Sequence, residues 1–269
     1  MRISNFSKLK PKKLIVFDID GTLTLTKAPM DGEMARLMRG LLAVKKVAII
    51  GGGKYALFKE QLRPLVGLKN PKPALERLSL FPATATSFYR YVTGWKKVYV
   101  HMLSHAERKR IKNAFREVFK KIDYQHPKKV YGSVIEDRGT QVTFSALGQD
   151  VVATLGTKRG VALKTAWARE NRELKMRIGR MVAKLLPEFE VHAAGFTSID
   201  VTKKGIDKAY GLRQVKKYLH VDIKDMLFVG DAIFPGGNDY AVVKTGVDYI
   251  PVAGPDETKR VIRALLVRK

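Results

Sequence analysis

Two aspartates spaced two residues apart, Asp18 and Asp20, follow the apolar run Leu14-Ile15-Val16-Phe17 and precede Gly21-Thr22. Such a run reads as a central parallel strand covered on both faces. Ligands of parallel sheets gather beyond the carboxyl ends of the strands. Strand side chains alternate with a period of two, so both carboxylates lean the same way if extended geometry persists through Asp20. Like charges so placed repel, and a divalent cation is the simplest means of keeping both ionised. Gly21 lets the chain turn sharply, and Thr22 offers a hydroxyl and an amide to an anion. For the short motif alone, an Asx-type turn after a strand is the structural alternative.

Further along, Met226-Leu227-Phe228-Val229-Gly230 delivers another acidic residue, Asp231, at a strand end, followed by the Gly-rich loop Pro235-Gly236-Gly237-Asn238-Asp239. Between the two acidic sites, Gly205-Ile206-Asp207-Lys208 places a lysine just ahead of a helical pattern. A nucleophilic carboxylate, a neighbouring acid, a lysine and a second acidic strand end form a set suited to phosphoryl transfer. Asp18 would attack phosphorus and become an aspartyl phosphate. A cation and Lys208 would offset charge on the transferring oxygens.

The elements that must position these groups alternate. Apolar runs at Leu14–Phe17, Val47–Ile50, Met226–Val229 and Tyr249–Val252 read as buried strands, with helical patterns at Gly32–Val44, Tyr55–Val66, Ala209–Leu219 and Asp256–Val267. Strands alternating with helices predict an α/β fold with a doubly wound, mostly parallel sheet. The middle of the chain differs. Ser87–Val100 suggests a hairpin or flap, Ala106–Lys121 an amphipathic helix, Val130–Leu147 a pair of strands, Ala166–Leu186 one long helix and Glu190–Val201 one returning strand. The expected organisation is an α/β core formed by residues 1–99 and 204–269, with an α+β cap, residues 100–203, inserted into it.

Composition bounds the rest. At 269 residues, 45% of them hydrophobic, the chain can bury a sizeable core. No apolar run approaches the ~18 to 20 residues needed to span a membrane. The basic start, Met1–Lys13, precedes only four strongly apolar residues and then Asp18, so a secretory leader is not expected. With no cysteine, disulfides and thiolate metal sites are excluded. The expected location is the cytoplasm. Lysine and arginine number 51 against 25 acidic residues, a formal charge of +26. That balance favours anionic partners, but the basic residues run through nearly every segment. They read as a general surface property before a nucleic-acid footprint.

The ordered motifs resemble the haloacid dehalogenase superfamily, its subclass IIB, and within it the eukaryote-type phosphomannomutases. The resemblance runs nearly the full length: Asp18 to Thr24; Ile49-Ile50-Gly51-Gly52-Gly53 before Phe58-Lys59-Glu60-Gln61-Leu62; Ile135-Glu136-Asp137-Arg138 before Phe144 to Gly148; Ser198 to Val201; Gly205 to Lys208; and Gly230-Asp231 through Asp239. It implies that Asp18 is the nucleophile, Asp20 the general acid and base, and Lys208 the lysine that ties phosphate to nucleophile. It implies Mg2+ held by Asp18, the backbone carbonyl of Asp20, and Asp231, with Asn238 and Asp239 ordering the loop. Substrate contacts would come from Thr22, Lys27, Gly52 and Gly53 in the core and from Arg138, Gln149, Ser198 and Asp200 in the cap. The implied partners are a phosphorylated hexose and a second copy of the chain, paired through the cap.

This chain departs from the family pattern at several of these positions. Gly51, Gly52 and Gly53 stand where a serine or threonine is usual, Lys27 where the family has arginine, Lys54 where it has an acidic residue, and Ala232 where it has lysine. Gln149 replaces a cap arginine of the sugar-phosphate clamp. A mutase must hold a bisphosphate while the sugar reorients, whereas a phosphatase need only release the alcohol and admit water. The leading expectation is a phosphomannomutase, with a sugar-phosphate phosphatase on the same fold as the alternative. A basic polyanion-binding protein on this scaffold is the remote one.

Overall fold

Leu14–Phe17 forms strand β1, and the alternation of its side chains sends Ile15 and Phe17 to one face of the sheet and Leu14 and Val16 to the other. In the computed structural model, which describes residues 11–266, β1 is an interior strand, third from one edge of a seven-stranded sheet. Parallel neighbours are β2 (Lys46–Ile50) and β3 (Leu78–Phe81) on one side, with β10 (Met226–Gly230) and β11 (Asp248–Pro251) on the other. Strands β4 (Ser87–Tyr91) and β5 (Trp95–Val100) form a hairpin that extends the sheet antiparallel from β3.

Helices cover both faces. On the Phe17 face pack α1 (Gly32–Val44), α2 (Tyr55–Val66), the short α3 (Lys72–Leu75) and the helix Pro255–Leu266. On the Val16 face packs the helix Lys208–Leu219, through Leu212 and Val215. Asp31 caps α1 by accepting from Met34 N at 2.8 Å, and Asp207 caps the Lys208 helix by accepting from Tyr210 N at 2.7 Å. Strand β3 has no clear signal in the sequence, because Leu78-Ser79-Leu80-Phe81 is short and carries a serine. Its burial comes from pairing with β2.

Among the described residues, those up to Val100 and from Asp207 onward make one compact unit; His101–Ile206 makes the other. The second unit has a four-stranded antiparallel sheet in the order β6 (Ile135–Asp137), β7 (Val142–Ser145), β9 (Ser198–Lys203), β8 (Phe189–Ala194). Its apolar face, with Phe144 and Ile199, packs with α4 (His105–Lys121) and the helix Arg172–Leu185. Two sequence expectations are corrected here. The single helix over Ala166–Leu186 is two: α5 (Val151–Glu170) ends at Asn171, whose side chain donates to Trp167 O at 3.0 Å, and α6 (Arg172–Leu185) starts anew. The single strand over Glu190–Val201 is the β8–β9 hairpin, folded back at Gly195, whose φ is +46°. No helix among the described residues is long and apolar enough to cross a membrane.

After β3 the backbone turns through three consecutive left-handed residues, Ala83, Thr84 and Ala85, with φ of 50°, 55° and 62°. Left-handed geometry is costly for residues with a Cβ, above all for β-branched threonine. It persists because the Ala83 amide donates to Gly53 O and the Thr84 amide to Gly51 O, both at 2.9 Å. Thr84→Gly keeps those donors and relieves the strain, so chemical denaturation is expected to show a gain of about 1 kcal/mol. A loss of stability would mean that the threonine side chain contributes more than its backbone costs.

Candidate active site

Lysine is an unfavourable residue in the first turn of a helix, where the backbone dipole is positive. Lys208 nevertheless occupies that position, and it is buried. Its ammonium is ion-paired to Asp18 Oδ1, to Asp239 Oδ1 at 2.9 Å, and donates to Ile50 O at 2.9 Å. The ends of β1 and β2, the start of the Lys208 helix and the loop after β10 are thereby tied at one atom. Asp18 lies at the end of β1 because four buried residues carry it there, and Asp239 is fully buried.

Asp231, one residue beyond β10, completes the group: carboxylate oxygens of Asp18, Asp231 and Asp239 lie within 4.8 Å of one another. Close approach is allowed by glycine. A Cβ at Gly21, whose φ is +82°, would overlap the Asp231 carboxylate, and a Cβ at Gly230 would overlap that of Asp239. Three carboxylates with one ammonium leave two uncompensated negative charges. Burial holds the Asp18 carboxyl well above the usual carboxylate range; Lys208 draws it down, while Asp239 and Asp231 push it up. Burial and the Asp239 carboxylate push Asp231 up to about 6, against the pull of Lys208. Burial disfavours the Lys208 ammonium, but Asp18 and Asp239 outweigh it and its pKa is raised. Oxygen-only donors carrying this charge fit a hard divalent cation, which would relieve the repulsion.

The other expected core residues are distributed around this group. Strand β1 ends at Phe17, so the alternation does not carry through to Asp20; its carboxylate is half-buried and engaged elsewhere. Asp20 Oδ1 accepts from the Lys27 backbone amide at 2.5 Å and from Gln61 Nε2 at 2.9 Å. Thr22 is buried and its hydroxyl donates to Asp231 Oδ1 at 3.3 Å, so it orders a carboxylate. Lys27 sits in the left-handed region, and Gly52 and Gly53 lie just past β2, where Gly53 is buried. Asn238 is exposed. Gln61 lies in the Phe58–Leu62 motif, and its type alone does not mark it as a site residue. The available signal was a polar residue on the apolar stripe Phe58, Leu62, Leu65 of α2.

In the second unit, Arg138 donates from Nε to Glu136 Oε2 at 2.7 Å and from Nη2 to Gln149 Oε1 at 3.1 Å. Asp200 Oδ1 accepts from the Thr143 hydroxyl at 2.7 Å, and Gln141 Nε2 donates to that same hydroxyl at 3.1 Å. Ser198 and Asp200 share the polar face of β9 and are both buried. Of the basic residues on α5, Lys158 and Arg159 are exposed and Lys164 is buried.

The family model for eukaryotic phosphomannomutase matches residues 34–268. The chain belongs to that family. It is 29% identical to a phosphomannomutase of Encephalitozoon cuniculi, over 93% of this chain and 91% of that protein. It is 26% identical to one of Saccharomyces cerevisiae, over 98% and 99%. Among solved structures, IMP-bound IMP-nucleotidase of Plasmodium falciparum superposes with a TM-score of 0.69 at 15% identity, over 97% of this chain and 70% of that one. Trehalose-6-phosphate phosphatase of Aspergillus fumigatus gives 0.51 at 19%, over 97% and 96%. These structural likenesses bear on the fold, that of the haloacid dehalogenase superfamily.

The raised carboxyls carry a signed expectation. Asp231 retains its proton in the folded chain up to about pH 6, whereas the unfolded chain loses it near 3.8. The folded state therefore binds more protons across that window, and this group's contribution to stability falls as pH rises through it. In the presence of a chelator, melting temperatures are expected to show that fall, and Asp231→Asn to flatten it. A divalent salt is expected to raise the melting temperature more at pH 7 than at pH 5, because the ligand must be ionised to bind. Equal shifts at both pH values would contradict the assignment.

Proposed function

We propose that this chain is a magnesium-dependent hexose-phosphate phosphotransferase, a phosphomannomutase that interconverts mannose 6-phosphate and mannose 1-phosphate by way of a phosphoryl group carried on Asp18. The observation that carries this reading is the buried Lys208 ammonium, paired at once to Asp18 and Asp239 at two strand ends, with Asp231 beside them. Asp18, the Asp20 backbone carbonyl and Asp231 would hold Mg2+, with Asn238 and Asp239 ordering the loop, and the ion would supply positive charge to offset that of the transferring oxygens.

The chain's own residues do the rest. A carboxylate oxygen of Asp18 bonds to phosphorus as the bond from phosphorus to the sugar oxygen breaks, and Asp20 gives that sugar oxygen a proton. In the return, Asp20 takes the proton of the accepting sugar hydroxyl, which attacks the aspartyl phosphate. Lys208 keeps Asp18 in place and offsets charge as it develops. Thr22 orders Asp231, while Lys27, Gly52 and Gly53 are assigned to the reacting phosphate. In the second unit, Arg138 and Gln149 are assigned to the distal phosphate, and Ser198 and Asp200 to sugar hydroxyls. A cytoplasmic homodimer paired through the second unit belongs to this reading.

One observation favours a second reading, a sugar-phosphate phosphatase. The Arg138 guanidinium is ion-paired to Glu136 and donates to the neutral Gln149, a pairing that offsets part of its charge toward a second phosphate. Phosphorus NMR separates the two. With mannose 1-phosphate, Mg2+ and a trace of hexose 1,6-bisphosphate, the mutase yields mannose 6-phosphate; inorganic phosphate as the main product would establish the phosphatase instead. Asp18→Asn is expected to abolish turnover in either case, and persistence of turnover would show that the nucleophile lies elsewhere.

A further inference from the structure

A glutamine buried on the apolar face of a helix is costly unless its amide is used, because a leucine of similar size would pack there without desolvating polar atoms. Gln61 of α2 is wholly buried. Its Nε2 donates to Asp20 Oδ1 at 2.9 Å and to the Thr24 hydroxyl at 2.9 Å, and that hydroxyl in turn donates to Ile19 O at 3.3 Å. Its Oε1 is buried with no hydrogen-bond partner among the described residues. The value of this side chain to the fold is thus concentrated in its two donors.

The backbone around it serves the same oxygen. Met30 N donates to Gln61 O at 2.9 Å, which ties α2 to the segment that carries Lys27. The Lys27 amide donates to Asp20 Oδ1 at 2.5 Å. Two donors from two stitched-together elements therefore converge on Oδ1 of Asp20, while Oδ2 has no hydrogen-bond partner among the described residues.

We infer that Gln61 is a positioning residue for Asp20, pinning Oδ1 so that Oδ2 is the oxygen that exchanges the proton with the sugar. This rests on the phosphotransferase reading above. Asp20 protonated on Oδ2 passes that proton to the departing sugar oxygen as its bond to phosphorus breaks, leaving the carboxylate. The accepting sugar hydroxyl returns a proton to Oδ2 as its oxygen bonds to phosphorus. A carboxyl group free to rotate would spend part of its time with the wrong oxygen presented.

The test uses leaving groups that do and do not need a proton. Sugar alkoxides need one, whereas p-nitrophenolate departs unaided. Gln61→Leu is expected to lower kcat for mannose 1-phosphate by about 10- to 100-fold with KM within about twofold. The single-turnover burst of p-nitrophenolate from p-nitrophenyl phosphate is expected to keep its rate. Equal slowing of both, or of neither, would overturn the positioning role, since loss of helix packing alone would not distinguish the two esters. Gln61→Glu keeps the shape of the side chain and replaces the donor by an acceptor; it is expected to show the same selective loss and serves where the leucine variant does not fold. An unaltered chain that transfers phosphate from neither ester would remove the phosphotransferase reading along with this one, whereas an active chain with unselective losses would remove this one alone.

Discussion

A single buried ammonium holds the candidate site together. Lys208 lies at the amino end of its helix, against the helix dipole, and is stable there only because Asp18 and Asp239 face it. Those carboxylates need the lysine equally, since each would otherwise be an uncompensated charge in a low-dielectric interior. Mutual need fixes the distances between β1, β10 and the Lys208 helix more tightly than apolar packing, which tolerates sliding, could do alone.

The same electrostatics leave the site incomplete as a set of charges. Burial and the neighbouring carboxylates, against the pull of the one ammonium, hold Asp18 and Asp231 above their ordinary pKa range, a state that favours either a proton or a cation. A fold seldom gathers buried carboxylates without a use for them. Around this group, Gly21 and Gly230 remove the side chains that would push the acids apart, and Thr22 spends its hydroxyl on Asp231. The loop of Gly51 to Gly53 has no hydroxyl to offer; the left-handed turn of Ala83 to Ala85 binds its carbonyls instead. Strain in that turn is the cost of setting a flexible glycine loop in one conformation.

The second unit follows a different logic. Its sheet buries one apolar face under α4 and α6 and carries on the other a network of polar side chains, with Thr143 linking Gln141 to Asp200, and Arg138 linking Glu136 to Gln149. As a neutral amide, Gln149 accepts from Arg138 without adding charge to that network.

Much of this was legible in the residues themselves. Apolar runs ending in acids predicted β1 and β10, the period of α1 and α2 gave their limits, and the order of the acidic and basic motifs pointed to phosphoryl transfer, because these depend on local pattern. Strand β3 was not legible, since four residues with a serine look like many loops until a neighbour pairs with them. Nor was the break at Asn171, where a side chain outcompetes the helix ladder, or the fold-back at Gly195, where one glycine reverses a strand. That Asp18 and Asp20 would take different partners, Lys208 for the first and the Lys27 amide and Gln61 for the second, was likewise hidden. Alone, the sequence determined which chemistry the chain carries and roughly where its elements lie. Only the tertiary structure decided which acids share one charge, which oxygen of Asp20 is pinned, and that Gln61 does the pinning. Gln61 and Asp20 are 41 positions apart and Lys208 and Asp18 are 190 apart, and no periodicity within the chain encodes such contacts.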